Sequence, residues 1–116
     1  MTDELSGEEL DKALALAMGW TTCDDEMCTA CWYDTNGHRV EVPPYHESID
    51  LLLRDVWPVA QARGAQSYTL GDSFGKCHCA VYQGSTRRYL VSHAYAPSGQ
   101  LALAFARALL VAVRDA

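Results

Sequence analysis

The chain has 116 residues, 49% of them apolar and 21% charged, and a formal net charge of −6. That composition describes one globular domain, residues 1–116, large enough to bury a real core. The acidic balance disfavours double-stranded nucleic acid as a partner, because neutralising phosphates takes a basic face.

Taken in order, Ser6-x-x-Glu9 reads as a capping box, and Leu10, Ala13, Leu14, Ala17 and Met18 form the apolar stripe of a first helix over about residues 7–18. Gly19 ends it. Trp20 to Cys23 reads as a short strand, followed by the acidic loop Asp24-Asp25-Glu26. Cys31 to Asp34 and His38 to Val42 flank Thr35-Asn36-Gly37, and Asn-Gly between extended runs signals a hairpin. The double proline Pro43-Pro44 then denies the backbone two donors and stops any ladder.

Ile49, Leu52, Leu53, Val56, Trp57 and Ala60 recur at the spacing of an amphipathic second helix. Glu47 and Asp50 sit in its first turn and Arg63 in its last, the signs a helix dipole favours. Pro58 is expected to kink or break it near residue 57, and Gly64 to stop it. Ser67 to Leu70, Cys77 to Tyr82 and Tyr89 to Tyr95 are three strands joined by short loops, which requires antiparallel pairing. In the last, Tyr89, Val91, His93 and Tyr95 share one face by simple alternation, and Leu90, Ser92 and Ala94 the other; apolar groups on both imply cover on both.

Ser98 is the expected cap of a third helix. From Leu101 to Val113 every residue but Arg107 is apolar, a run too short to span a bilayer, so no membrane role is expected. A helix apolar nearly all round is buried on more than one side. In a domain this small, part of it is expected to meet a second copy, with Leu103, Leu110 and Val113 as interface candidates and a homo-oligomer as the result. The fold class is therefore α/β in the α+β sense: an antiparallel sheet of three to four strands with three helices, in the order α-(ββ)-α-β-β-β-α, layered as an αβα sandwich. From the second helix onward the order is that of a double-stranded-RNA-binding domain. The lysines those domains carry at the start of the last helix are replaced here by Gly99-Gln100-Leu101-Ala102.

Leu10-Asp11-Lys12-Ala13 through Met18-Gly19-Trp20, Pro44-Tyr45-His46-Glu47-Ser48-Ile49, and Ala96-Pro97-Ser98 leading into Leu101-Ala102-Leu103-Ala104 carry a family resemblance. Across nearly the whole chain they resemble the small bacteriophage proteins of the phage ABA-sandwich domain family. Its members typically show a first helix ending Met-Gly-Trp, a Tyr-Ser-Thr-Asp-Ile opening the middle helix, and an alanine-rich last helix. This chain departs at His46-Glu47-Ser48. The resemblance implies a sheet with helices on both faces and a phage or prophage origin. It implies no activity.

Five cysteines are the least usual feature of the composition. Cys28-x-x-Cys31 has a knuckle-like spacing, and Cys77 and Cys79 put two sulfurs on one face of a strand. Four thiolates could close a tetrahedral structural zinc site joining the N-terminal loop to the sheet. Reduced thiols in a core or a disulfide are the other readings. Cys77 and Cys79 flank His78, but strand neighbours point to opposite faces, a poor geometry for a nucleophile and its base.

The charge is uneven: residues 1–65 hold thirteen acids and four bases, residues 66–116 two acids and five bases. A small anion could be held by the second half. Trp32, Tyr45 and His46, together with Arg87, Arg88, His93 and Tyr95, are rings and cations suited to stacking a base and holding phosphate. No catalytic set emerges, neither a Gly-rich phosphate loop nor a Ser/His/Asp order, and no enzyme is expected. The acidic N-terminus lacks an apolar signal segment, which points to a cytoplasmic site of action, in an infected bacterial host if the resemblance holds. The expectation is a phage accessory protein that binds without turnover. It would inhibit or decoy a host protein, or sequester a small nucleotide signal in counter-defence. The alternative is a zinc-stapled structural or interaction domain.

Overall fold

The structure, a computed structural model, describes residues 7–22, 31–73, 75–84 and 89–114. Helix α1 (Gly7–Ala17) is followed by β1 (Thr21–Thr22), β2 (Trp32–Tyr33) and β3 (Arg39–Val40). These short strands form an antiparallel sheet in the order β1-β2-β3, so Thr21 and Thr22 add a third strand to the expected hairpin. Its turn is tied by Asp34, whose Oδ1 accepts from the backbone N–H of Asn36 and of His38, each at 2.9 Å. Ser6 lies outside the described residues.

After a 3-10 turn at Tyr45–Glu47, helix α2 covers residues 49–62 as one run with a π-helical middle at Leu52–Val56. The Ser48 side chain caps it by accepting from Leu51 N–H at 3.3 Å. Pro58 cannot donate, and the helix absorbs the loss by widening just before it. Trp57 N–H reaches back to the Leu52 carbonyl, five residues upstream, a π-bulge of the kind that relieves an interrupted ladder. The expected break is therefore a local widening, and α2 runs on to Gly64, whose φ of 112° suits a glycine at a helix end.

Strands β4 (Ser67–Ser73), β5 (Lys76–Gln83) and β6 (Tyr89–Pro97) form the main sheet, antiparallel throughout in the order β4-β5-β6. Helix α3 (Leu101–Arg114) closes the chain. Ser98 does not cap it: its hydroxyl donates to Asp72 at 3.2 Å, and the first helical carbonyl to be used is that of Gln100, accepting from Ala104 N–H.

The class, the element order and the antiparallel three-stranded sheet are those expected from sequence. The helices, however, gather on one side of the main sheet. Helix α3 packs on all three strands and also meets α1, the 3-10 turn and α2. It is thus an inner layer, with the sheet against one flank and the other helices against the rest. Its alanines at 104, 106, 108 and 112 are buried, and their small size lets neighbouring backbones come close. Ser92, the buried polar residue of β6, satisfies itself by donating to the Ala108 carbonyl at 2.8 Å. Trp57, Tyr68 and Phe105 tie α2, β4 and α3 together, with ring centroids 4.9 Å apart for Trp57–Tyr68 and 4.8 Å for Tyr68–Phe105. Arg63 crosses the far end, donating to the Ala17 carbonyl at 3.0 Å and to that of Val113. One guanidinium so meets carbonyls at the ends of two helices, where a cation is favoured.

This arrangement corrects the interface expected on α3. Leu103, Leu110 and Val113 are 6%, 2% and 0% exposed within their own chain, so none is offered to a second copy. The physical reason is the two-sided cover, which a single chain supplies once α1 and α2 stack on the same helix. Leu110→Ala is accordingly expected to cost about 2–5 kcal/mol in urea unfolding while leaving the sedimentation mass of the native protein unchanged.

Candidate functional site: the open face of the main sheet

A strand shows its side chains to alternate faces. Toward α3 the main sheet sends Tyr68 and Leu70, then Cys77, Cys79 and Val81, then Ser92, Ala94 and Ala96, nearly all buried. The opposite face bears no helix among the described residues. It forms a depression of about 510 Å³ lined by Thr69, Lys76, His78, Ala80, Tyr82, Leu90, His93 and Tyr95.

The register explains how these come together. Thr69, Ala80 and His93 lie in one cross-strand row, and Gly71, His78 and Tyr95 in the next. Between Val81 and Tyr82 the pairing slips: Val81 faces Ser92 but Tyr82 faces Leu90. Val91 is the extra residue, and a β-bulge of this kind breaks the alternation. Leu90 therefore joins His93 and Tyr95 on the open face, where simple alternation had set it opposite them. Leu90 and Tyr95 are 58% and 54% exposed.

The floor is small and the walls are rings. Ala80 lies at the bottom, and Gly71 makes room for the His78 imidazole, since a Cβ there would sit 2.6 Å from His78 Nε2. His78 and His93 meet edge-on at 5.9 Å between centroids, and His93 and Tyr95 lie tilted at 4.6 Å. Among the described residues the lining includes Lys76 and two histidines but no carboxylate, within a chain of net charge −6.

Of the residues singled out from sequence, only His93 and Tyr95 lie here. Arg87 and Arg88 fall outside the described residues. Trp32 is buried at 8% exposure and Tyr45 at 0%, so neither is open to a ligand. His46 is held by Asp11, which is itself only 4% exposed. Asp11 accepts from the His46 backbone N–H and contacts its Nδ1, both at 2.8 Å. One carboxylate thus fastens the 3-10 turn to α1 with both oxygens. The remaining ring nitrogen faces Glu47 at 3.4 Å. This is a latch between elements, and it lies apart from the open face.

Tyr45 anchors a second polar cluster, donating its hydroxyl to Asp55 at 2.8 Å while Arg54 Nε donates to the same carboxylate at 2.6 Å. Burial first, then Asp55, pushes the Tyr45 hydroxyl far above the usual phenol range, so it stays a donor. The Arg54 hydrogen bond, outweighing burial and helped by Tyr45, holds Asp55 below the ordinary carboxylate range.

Among the described residues the cysteines do not gather into one metal-holding set. Cys31 is disulfide-bonded and so has no thiolate to give a metal. Cys77 and Cys79 are free and fully buried, and burial pushes the Cys79 thiol up to about 12. Cys28 lies outside the described residues. Among the described residues no group of three or more His, Cys, Asp or Glu could hold a metal ion. Among the described residues no helix is long and apolar enough to cross a membrane.

Lys76, His78, Tyr82 and Leu90 escaped the sequence reading. The signal available was the period-two set Lys76, His78, Ala80, Tyr82 on β5, polar or ring-bearing opposite Cys77, Cys79 and Val81. Compared with models of known protein families and with curated proteins, the chain matches none.

The Asp55 cluster gives a pH signature. A carboxyl whose folded pKa is depressed contributes stability above its unfolded value, about 3.9, and loses it as pH falls through the folded value. The acid limb of the stability–pH profile, measured by urea unfolding from pH 6 downward, is therefore expected to be shallower in Asp55→Asn than in the wild type.

Proposed function

We propose that this chain is a small phage or prophage accessory protein that acts by binding, without turnover, through the open face of its main sheet. The target is a host protein or a small nucleotide signal, bound in counter-defence. The observation that carries the proposal is the contrast between the two faces of one sheet. One is sealed by α3, and the other holds Leu90 and Tyr95 more than half exposed beside two histidines and a lysine. Exposed rings and an apolar group clustered at one depression mark a recognition surface more than a solvated one.

The phage assignment is supported by Met18-Gly19-Trp20, Pro44-Tyr45 and the alanine-rich α3, the segments that resemble the phage ABA-sandwich domain proteins. A latch at Asp11–His46 and buried thiols at Cys77 and Cys79 suit a scaffold that presents a surface.

A double variant, Leu90→Asp with Tyr95→Asp, tests the face without touching the core. Wild-type and variant chains, matched for unfolding midpoint, would be recovered from host cells and everything bound identified, protein and metabolite alike. The expected result is a partner held by the wild type in stoichiometric amount, chemically unaltered, and lost from the variant. The same partner on both chains, or a converted product, would contradict the proposal.

A further inference from the structure

The geometry points to a nucleoside phosphate as the ligand of the open sheet face; this rests on the proposal that the face is the binding surface and names what it takes. Three features converge. The first is size: a depression of about 510 Å³ lies within the range of small-ligand sites and is small for a folded partner. The second is the ring arrangement. His78 and His93 stand at 81° to one another, and His93 and Tyr95 at 52°. Rings so splayed do not stack face to face on each other, and the Tyr95 ring, 54% exposed, is the one on which a base can lie.

The third is charge. Among the described residues the lining holds Lys76, His78 and His93 and no acid, although the chain as a whole is at −6. A patch without a carboxylate in an acidic protein is complementary to an anion. The cationic end is Lys76, which also lines a second depression together with Tyr95 and Ala96. Lys76 and His78 are two residues apart on one face of β5, about 6.6 Å along the strand. A phosphate near Lys76 therefore places an attached base over the His93 and Tyr95 rings, with the sugar between them.

The same charge argument weighs against a second copy as occupant, since two identical faces would bring lysine and histidines against their own kind. A long single strand is disfavoured because the acidic remainder of the surface gives its further phosphates nothing to follow.

The test uses the full-length chain, isotopically labelled, titrated in turn with AMP, GMP, UMP, adenosine, inorganic phosphate and a ten-nucleotide single strand, and read by amide chemical shifts. At least one monophosphate is expected to move the amides of Lys76, His78, His93 and Tyr95, and to bind about tenfold or more tighter than adenosine or phosphate alone. Lys76→Ala and His93→Ala, both at exposed positions, are each expected to weaken that binding about tenfold with the unfolding midpoint unchanged. Tyr95→Ala provides a second check on stacking.

The proposal is overturned if no monophosphate shifts that face, if inorganic phosphate binds as well as the nucleotide, or if the single strand binds tighter in proportion to its length. It is likewise overturned if the free protein is a dimer through this face. Failure here, with the Leu90/Tyr95 double variant still shedding a protein partner, would leave the binding face standing and remove only the nucleotide. Failure of both would remove the face itself.

Discussion

One constraint shapes this molecule: α3 is too apolar to show water any flank, and a chain of this length must cover it alone. The main sheet takes one side, through Cys77, Cys79, Val81, Ala94 and Ala96. Leu10, Leu14, Tyr45, Leu52, Val56 and Ala60, all buried, belong to the elements on the other. The core that results is a single cluster with α3 at its middle. Burial of this kind is the main favourable contribution to folding, and it commits every helix to the same side. Among the described residues no helix is left to lie on the far face of the sheet, where Leu90 and Tyr95 stay more than half exposed.

Function follows from that allocation. A protein that needed only stability would fill the far face with polar residues, as antiparallel sheets with one wet side commonly do. Here the wet side carries rings, a lysine and an apolar residue around a small-residue floor. The scaffold beneath is stiff, held by the Asp11–His46 latch, the Ser92 hydroxyl on α3 and the Arg63 crossing. A preformed surface on rigid strands binds at little ordering cost, which suits the binding role proposed above.

Much of the architecture was legible in the sequence because it rests on periodicity. The stripes of α1 and α2, the Asn36-Gly37 turn and the three long strands all emerge from spacing and turn chemistry. What escaped is tertiary. No spacing tells whether an all-apolar helix is covered by its own chain or by another, so Leu103, Leu110 and Val113 were placed at an interface. The slip at Val91 inverted the side on which Leu90 lies, and a bulge leaves no mark in a strand of mixed residues. Pro58 signalled a break, yet a π-turn absorbed it. The ring-bearing residues Trp32, Tyr45 and His46 looked like ligand groups by type, but burial and the Asp11 carboxylate had already claimed them. Cys31, Cys77 and Cys79 looked metal-like by type, but the first is disulfide-bonded and the other two are buried thiols.

The central claim is that α3 is sealed within one chain and the opposite sheet face is the one left free. Hydroxyl-radical footprinting of the native protein, read residue by residue by mass spectrometry, measures this directly. Tyr95 and Leu90 should be oxidised rapidly while Tyr45, Phe105 and Leu110 remain protected until the chain unfolds. Protection of Tyr95 and Leu90 together with rapid oxidation of Phe105 and Leu110 would contradict it.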